Sequence, residues 1–337
     1  MHSSQCTIID SVLELCAFKK LKQGNIYIMN FTAKDVAALR EMTGAGMMDC
    51  KNALVAENGN MEKAAEFLRK QGVAVAAKKA GRIAAEGTVA AATAKDGKSG
   101  ALVEINCESD FVGKSPDFVA LCEKVASVAL ESNPKDVDAL LAAKSGKETV
   151  LELINNATAK IGEKLSLRRF VRYEVKSGRQ ESYIHMLGKI GVLVEFETGK
   201  DLNKNKDFVT VCHDVAMHVA AMNPKFVYEN EIPKDLRDKE KEILLAQMQS
   251  DEKNKGKPVA VLEKIIEGKL KKFSKEVCLN DQEFFKDTSI SVGTYVEQFA
   301  KKADTTIKVV KFTRFEKGEG LEKKQDNLAE EVAKLQK

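Results

Sequence analysis

Residues 117–135 read DFVALCEKVASVALESNPK and residues 207–225 read DFVTVCHDVAMHVAAMNPK, a gapless match with nine identical positions of 19. Apolar residues recur at helical spacing in both stretches, so each predicts an amphipathic helix. The residues ahead of the helices match as well, because GALVEI at 100–105 corresponds to GVLVEF at 191–196. The repeat predicts an α+β fold with two duplicated α/β subdomains, each with a small antiparallel sheet covered by helices.

Strand signals flank the two predicted helices. Residues 87–93 and 101–107 have strand patterns on either side of Asp96-Gly97, which is a typical hairpin signal. Strand patterns return at 165–175 and 190–198. Because a short hairpin joins antiparallel strands, we expect both sheets to be antiparallel.

The two copies differ in two informative places. Between strand and helix, the first copy carries Glu108–Val112, whereas the second carries the polar stretch 200–205 and has a connection that is one residue shorter. Phe111 beside Asp110 either plugs its own sheet or contacts another molecule. His218 replaces a valine of the first copy and flanks the apolar stripe of its helix, where it is either an ordinary core-edge histidine or a functional residue.

The chain from Met29 to Arg82 predicts a small helical bundle. Asp35 follows Thr32 at the spacing of a capping box, and Gly44, Gly59 and Gly72 lie where three successive helices are expected to end. The Ala- and Lys-rich residues 73–82 then predict a linker helix.

A methionine pair occupies the corner between the first two predicted helices. Met47 and Met48 follow the tight stretch Thr43–Gly46. Flexible, polarisable methionine suits a packing surface for another protein, but it could equally cap the bundle locally.

Two charged segments with narrow apolar seams follow the second copy. Residues 233–250 carry Ile243, Leu244 and Met248 on the seam, and residues 258–277 carry a matching one. The polar turn at 251–257 makes an antiparallel coiled-coil hairpin the expected structure. A strand is predicted at 309–315 and a last helix at 321–336.

Residues 1–28 fit poorly with the rest of the chain. They lack the compact apolar segment of a signal peptide and the arginines of a transit peptide, so we expect a non-native or disordered leader. The predicted organisation is a leader at 1–28, a three-helix bundle with linker at 29–82, a first core subdomain at 83–175, a second at 176–312 with the helical hairpin at about 233–277, and a C-terminal module at 313–337.

Composition excludes several classes of protein. Among 337 residues, 54 Lys and Arg against 50 Asp and Glu give a net charge of +4, too small for a dedicated nucleic-acid binder. Seven cysteines at wide spacings, without a CxxC pair, argue against a disulfide framework or zinc knuckle and favour the reducing cytoplasm. Apolar runs fall short of the ~20 residues that a membrane helix needs.

The search for catalytic chemistry is negative. Gly97-Lys98-Ser99 resembles the end of a phosphate-binding loop, but Ala92 stands where the first glycine is required. His213 and His218 are five residues apart and do not form the i, i+4 pair typical of zinc sites. We therefore predict no enzyme activity, cofactor, metal or direct nucleotide binding. The open alternatives are an RNA-associated protein with a helical arm and an enzyme that uses the Gly97–Ser99 turn.

Four motifs carry a family resemblance. TGAGMMDCK at 43–51 resembles the signature near the start of bacterial elongation factor Ts, and SDFV at 109–112 resembles that family's TDFV loop with Ser for Thr. MHVAA at 217–221 and FTRFEKGEG at 312–320 are similar to two further blocks. The motifs occur in the family's order from about Met29 onward.

The resemblance implies a guanine-nucleotide exchange factor that binds elongation factor Tu, a GTPase, and does no covalent chemistry. It also implies a ubiquitin-associated-like bundle, a two-part core, a coiled-coil excursion and a C-terminal module. The bundle would contact the GTPase's nucleotide domain, and the SDFV loop with the MHVAA histidine would push between helices near the partner's magnesium. The partner-binding residues so implied are Arg40, Met47, Met48, Asp110, Phe111, Val112 and His218.

Overall fold

A computed structural model describes residues 30–43, 45–250 and 259–322. These residues form two compact units. The bundle unit comprises the described residues up to Ile83 together with Gly146–Leu165, and the sheet unit comprises Ala84–Ser145 and the described residues from Ser166 onward. The predicted leader, the turn at 251–257 and nearly all of the predicted last helix lie outside the described residues.

Groups of one to three helices alternate with groups of one to three strands along the described chain. The helices are α1 (Ala33–Thr43), α2 (Met47–Ala56), α3 (Met61–Lys79), α4 (Asp110–Gly113), α5 (Pro116–Ser132), α6 (Val137–Ala142), α7 (Val150–Ile161), α8 (Lys206–Met222), α9 (Lys234–Ser250), α10 (Val259–Val277) and α11 (Val292–Lys302), with a 3-10 turn at Glu229–Glu231. The strands are β1 (Glu86–Thr93), β2 (Ser99–Cys107), β3 (Lys144–Ser145), β4 (Glu148–Thr149), β5 (Ser166–Glu174), β6 (Gly178–His185), β7 (Ile190–Thr198), β8 (Glu283–Phe284), β9 (Asp287–Ser291) and β10 (Ile307–Glu316). Within these described elements, no helix combines the length and apolar character needed to cross a bilayer.

The bundle unit begins with the predicted cap. The Thr32 amide donates to Asp35 Oδ2 at 2.7 Å, and the Asp35 amide donates to Thr32 Oγ1 at 3.3 Å, which confirms the capping box. Asn60 caps α3 by accepting from the Lys63 amide at 2.9 Å. The apolar core between α1, α2 and α3 contains Val36, Leu39, Cys50, Ala53, Leu54, Ala64 and Leu68.

The prediction that the third helix ends at Gly72 is wrong, because α3 continues to Lys79. A Cβ added at Gly72 would lie 3.0 Å from Asn156 Oδ1 on α7, so the missing side chain permits close packing of the two helices. Tertiary packing thus overrides the poor helix propensity of glycine. The predicted first core subdomain at 83–175 includes α7, but in the structure this helix belongs to the bundle unit.

The sheet unit contains two three-stranded antiparallel sheets of the same plan. Their orders are β1-β2-β5 and β6-β7-β10, with the second strand of each copy at the centre. The predicted hairpin between β1 and β2 is confirmed, with Gly97 at φ 72°. Because Ser99 begins a strand rather than a helix, the Gly97–Ser99 turn does not have the structure of a phosphate-binding loop.

Contacts between the sheets are reciprocal. The Val89 amide donates to the Gly188 carbonyl at 2.9 Å, and the Gln180 amide donates to the Gly97 carbonyl at 2.7 Å. Each residue of the first bond lies 91 positions from its counterpart in the second. Copy one (β1, β2, β5 and α5) and copy two (β6, β7, β10 and α8) are therefore related by a pseudo-two-fold axis, so each hairpin turn of one copy has an equivalent in the other.

A buried carboxylate ties the end of the described chain to the first sheet. Glu104 on β2 accepts from the Gly318 amide at 2.8 Å, from Arg169 Nε at 2.6 Å and from Arg168 Nη1 at 3.0 Å. Burial alone would raise the Glu104 pKa, but the Gly318 amide and the two guanidinium groups together lower it. A module starting at 313, as predicted, would divide β10, which is a strand of the second sheet.

Helices α9 and α10 share a small apolar cluster of their own. Leu244 and Met248 of α9 pack with Ile266 and Leu270 of α10, as the seam predicts. Ile243 was predicted on this seam as well, but its side chain is half exposed. It lies next to Leu244 in sequence, and adjacent helical residues point about 100° apart, so only one of the two can face the partner helix.

Candidate protein-binding surfaces

The SDFV motif forms a short, well-braced helix in the sheet unit. Ser109 caps α4 by accepting from the Val112 amide at 3.3 Å, and Ser115 Oγ donates to the Val112 carbonyl at 2.9 Å. Lys114 Nζ lies 2.6 Å from Asp110 Oδ2. These local bonds hold the backbone of α4 without help from the side chain of its second residue, Phe111.

Phe111 projects from α4 into solvent with 84% of its surface exposed. The following Gly113 is buried, and a Cβ added there would lie 3.1 Å from the Gly87 carbonyl, so α4 rests directly on β1. Of the two alternatives for Phe111, the one in which it plugs its own sheet is wrong. An aromatic ring on a fixed backbone in water is a preformed apolar contact for another molecule.

Copy two supplies an internal control for this exposure. In its corresponding loop the apolar residue is Leu202, which is only 8% exposed and packs into the core of the second sheet. The same fold can therefore turn the apolar residue of this loop inward. Copy one turns Phe111 outward instead, so its exposure is a property of this loop and not a requirement of the fold.

A carboxylate accompanies the exposed ring. The hydrogen bond from Lys114 lowers the Asp110 pKa, and the charge of Lys317 acts in the same direction. Asp110 is consequently anionic at neutral pH, beside an apolar ring. Val112 is half-buried beneath them.

His218 does not belong to this surface, because it is fully buried in the second core. The Phe285 amide donates to His218 Nδ1 at 3.4 Å, which leaves the proton on Nε2 to donate to Gln282 Oε1 at 3.0 Å. Burial lowers the His218 pKa. The side chain of His218 is thus covered in this structure, and its direct contact with a partner stays a prediction. Its position beside an apolar stripe was visible in the sequence, but the segment that covers it lies 64 residues away.

The predicted methionine pair is exposed at a corner of the bundle unit. Met48 is 62% exposed, Met47 is half exposed, and Arg40 of α1 is also exposed. Neither methionine belongs to the apolar core, so the structure does not support the alternative of a local cap. Met42 is also exposed at the end of α1, although its spacing from Val36 and Leu39 predicts it on the apolar stripe of that helix.

The candidate residues therefore fall into two sets. Arg40, Met47 and Met48 lie in the bundle unit, whereas Asp110, Phe111 and Val112 lie on α4 of the sheet unit. Among the described residues, no group of three or more His, Cys, Asp or Glu side chains is placed to hold a metal ion. Both sets offer apolar groups with nearby charge, which is chemistry for binding a protein surface.

Fold and surface together define a mixed α and β protein that presents preformed apolar contacts for a partner. The family model described as Elongation factor TS matches residues 108–319. The chain belongs to the elongation factor Ts family, and its role is in translation elongation.

Curated relatives match over most of the chain. The chain is 48% identical over 305 residues to Elongation factor Ts of Clostridium perfringens strain SM101, covering 90% of this chain and 98% of that relative. Elongation factor Ts of Clostridioides difficile strain 630 is 48% identical over 307 residues, with 90% and 98% covered. That of Symbiobacterium thermophilum is 44% identical over 303 residues, with 89% and 96% covered.

Proposed function

We propose that this protein is a guanine-nucleotide exchange factor that binds elongation factor Tu, disrupts its magnesium and phosphate site, and promotes GDP release during elongation. The observation that carries this proposal is the 84% exposed Phe111 on the braced helix α4. An exposed apolar ring on a fixed backbone is suited to enter a crevice of a partner. The protein acts by binding and does no covalent chemistry.

Nucleotide release follows from coupling between two ligands of one GTPase. GDP is held by backbone donors around its phosphates and by a Mg²⁺ that neutralises their charge. A factor that binds the nucleotide-free GTPase better must weaken nucleotide binding by the same factor, because linkage is reciprocal. Each tenfold loss of nucleotide affinity requires about 1.4 kcal/mol of differential contact.

The size of the Phe111 contribution can be bounded. Full burial of a phenylalanine side chain is worth about 1.5–3 kcal/mol, which corresponds to one or two decades of nucleotide affinity. A larger effect needs other contacts that strengthen as GDP leaves. Arg40, Met47 and Met48 are the proposed source, because their exposed surface suits the GTPase's nucleotide domain.

His218 contributes indirectly in this proposal. Its bonds to Gln282 and Phe285 hold the segment after α10 against α8, so it supports the second core from within. Asp110 brings a negative charge to the partner along with Phe111, and a carboxylate near the partner's Mg²⁺ perturbs the balance of charge there.

The finer architecture is part of the same proposal. We infer a ubiquitin-associated-like bundle at 29–82, an antiparallel coiled-coil arm built on α9 and α10, and a C-terminal module that includes the predicted last helix. The cluster of Leu244, Met248, Ile266 and Leu270 supports the arm. The family's role in translation supports a cytoplasmic site of action.

Stopped-flow release of fluorescent GDP from elongation factor Tu tests the exchange function. We expect the release rate to rise with the concentration of this protein and then to saturate. An unchanged release rate at every concentration, with both proteins folded, would contradict the proposal.

A further inference from the structure

Helix α4 is a single turn that is attached to the sheet unit near both of its ends. A helix of four residues is not stable on its own, because the first turn orders several residues for one hydrogen bond. The Cys107 thiol, at the end of β2, donates to the Ser109 carbonyl at 3.1 Å. The Thr88 hydroxyl, on β1, donates to the Gly113 carbonyl at 2.6 Å. Side chains from two strands therefore bond to the carbonyls on either side of Phe111.

Both donors are buried beneath the helix. Thr88 is 3% exposed and Cys107 is fully buried. A Cβ added at Gly113 would lie 3.1 Å from the Gly87 carbonyl and 3.6 Å from Cys107 Sγ, so the backbone of α4 rests directly on the strands. A buried carbonyl that loses its donor costs free energy until it reaches water. Loss of either donor is therefore expected to tilt α4 toward solvent.

These two bonds have a role different from the bonds within α4. The Ser109 cap and the Asp110–Lys114 pair join residues of the loop to one another. They maintain the helical turn, but they would move with it if it tilted. Thr88 and Cys107 belong to strands that the sheet holds in place, so their bonds determine the orientation of the turn.

Copy two has other groups at the equivalent positions, which lie 91 residues later. Arg179 stands in place of Thr88, and its Nε donates to Glu181 Oε2 of the same strand at 2.7 Å. Thr198 stands in place of Cys107, and its buried Oγ1 makes no hydrogen bond within the described part of the chain. The second sheet thus forms without the two bonds, which accompany the copy that carries α4.

We propose that Thr88 and Cys107 are positioning residues for nucleotide exchange, because their bonds fix the direction in which Phe111 leaves the sheet unit. This inference rests on the proposed exchange function. Both side chains are buried, so they act through Phe111 and not by touching the GTPase. A functional group must be held to within about 0.5 Å, and a displacement of about 1 Å can cost about 100-fold in rate.

The test compares removal of the donor with removal of apolar volume, in the full chain. Thr88→Val keeps the branched shape and removes the hydroxyl, whereas Thr88→Ser keeps the hydroxyl and removes the methyl group that packs against Gly188. Cys107→Ala and Cys107→Ser make the same comparison at the other end of α4. Thr198→Val in copy two is the matched control, because it removes a hydroxyl that has no partner among the described residues.

Stopped-flow release of fluorescent GDP from elongation factor Tu is measured against the concentration of each variant, with and without Phe111→Ala, and melting temperatures show that each variant is folded. For Thr88→Val and Cys107→Ala we expect a saturated release rate about tenfold below that of the wild type and an unchanged half-saturating concentration. Both serine variants should retain the wild-type rate, although Thr88→Ser lowers the melting temperature. Thr198→Val should match the wild type. In the Phe111→Ala background the substitutions should have no further effect, because they act through that ring.

Wild-type release by Thr88→Val and Cys107→Ala, while Phe111→Ala slows release, would overturn this inference and leave the exchange function standing. An equal fall with and without Phe111 would also overturn it, since the two residues would then act on something other than the ring. Should one donor-free variant not fold, the other decides the outcome. If Phe111→Ala itself had no effect, the proposed function would fail as well.

Discussion

Removing the ring of Phe111 separates its role in binding from its role in folding. The side chain is 84% exposed, so Phe111→Ala takes little buried surface from the folded protein, and we expect unfolding free energy to change by less than about 0.5 kcal/mol. Burial of the same ring in a crevice of the partner would stabilise the complex by about 1.5–3 kcal/mol. The saturated rate of GDP release from elongation factor Tu should therefore fall roughly 10- to 100-fold.

The assay is stopped-flow release of fluorescent GDP, with urea unfolding measured on the same preparations. Leu202→Ala is the matched control, because it truncates the apolar residue of the corresponding loop in copy two, where it is buried. That variant should lose about 2–5 kcal/mol of stability but catalyse exchange normally while it remains folded. Wild-type release by Phe111→Ala would refute the reasoning from exposure to function.

Three further predictions concern the bundle corner and two buried groups. Replacing Met47 and Met48 together by alanine should weaken binding to the GTPase about tenfold without lowering the melting temperature, as titration calorimetry and thermal unfolding can show. Glu104→Gln should destabilise the sheet unit by about 3 kcal/mol in urea unfolding, because it uncouples the carboxylate from Gly318 and two arginines. The pKa of Glu104 in the folded protein lies below its ordinary value of 4.5. The difference in stability between the wild type and Glu104→Gln should therefore be fully present above pH 4.5 and shrink as the pH falls toward the pKa of the folded state. The pKa of His218 in the folded protein also lies below its ordinary value of 6.5, so the free energy of unfolding should decline as the pH falls below 6.5. In His218→Gln the free energy of unfolding should depend less steeply on pH. Equal pH dependence in the two proteins would contradict the assignment to His218.

Local signals in the sequence predicted much of the sheet unit. The Asp96-Gly97 turn identified its hairpin, because a residue with positive φ strongly favours glycine. The gapless match of residues 117–135 and 207–225 identified the repeat, and the matching strands and helices are present in both copies. Such signals depend on a few consecutive residues, so they can be interpreted without knowledge of long-range packing.

Long-range packing accounts for the positions at which the structure departs from the predictions made from the sequence. Glycine is a typical residue at a helix end, but Gly72 lies inside α3. There it packs against α7, which follows about 80 residues later in the sequence. His218 was predicted at a protein interface, yet Gln282 and Phe285 cover it from a distant segment. Neither partner can be identified from the residues around the position itself.

The candidate surface was predicted in part. Phe111 was recognised by comparing the two copies, and its exposure agrees with a binding role. Thr88 and Cys107 went unnoticed, because their significance appears only when the fold brings their side chains beneath α4. The pseudo-two-fold axis supplies Thr198 of copy two as the control position.

Photocrosslinking from position 111 tests most directly that this ring enters the GTPase. A benzophenone side chain is placed at position 111, the protein is mixed with GDP-bound elongation factor Tu, and adducts formed under light are mapped by mass spectrometry. We predict adducts with the nucleotide-binding domain of the GTPase. Adducts confined to this chain, from a preparation that still binds the GTPase, would contradict it.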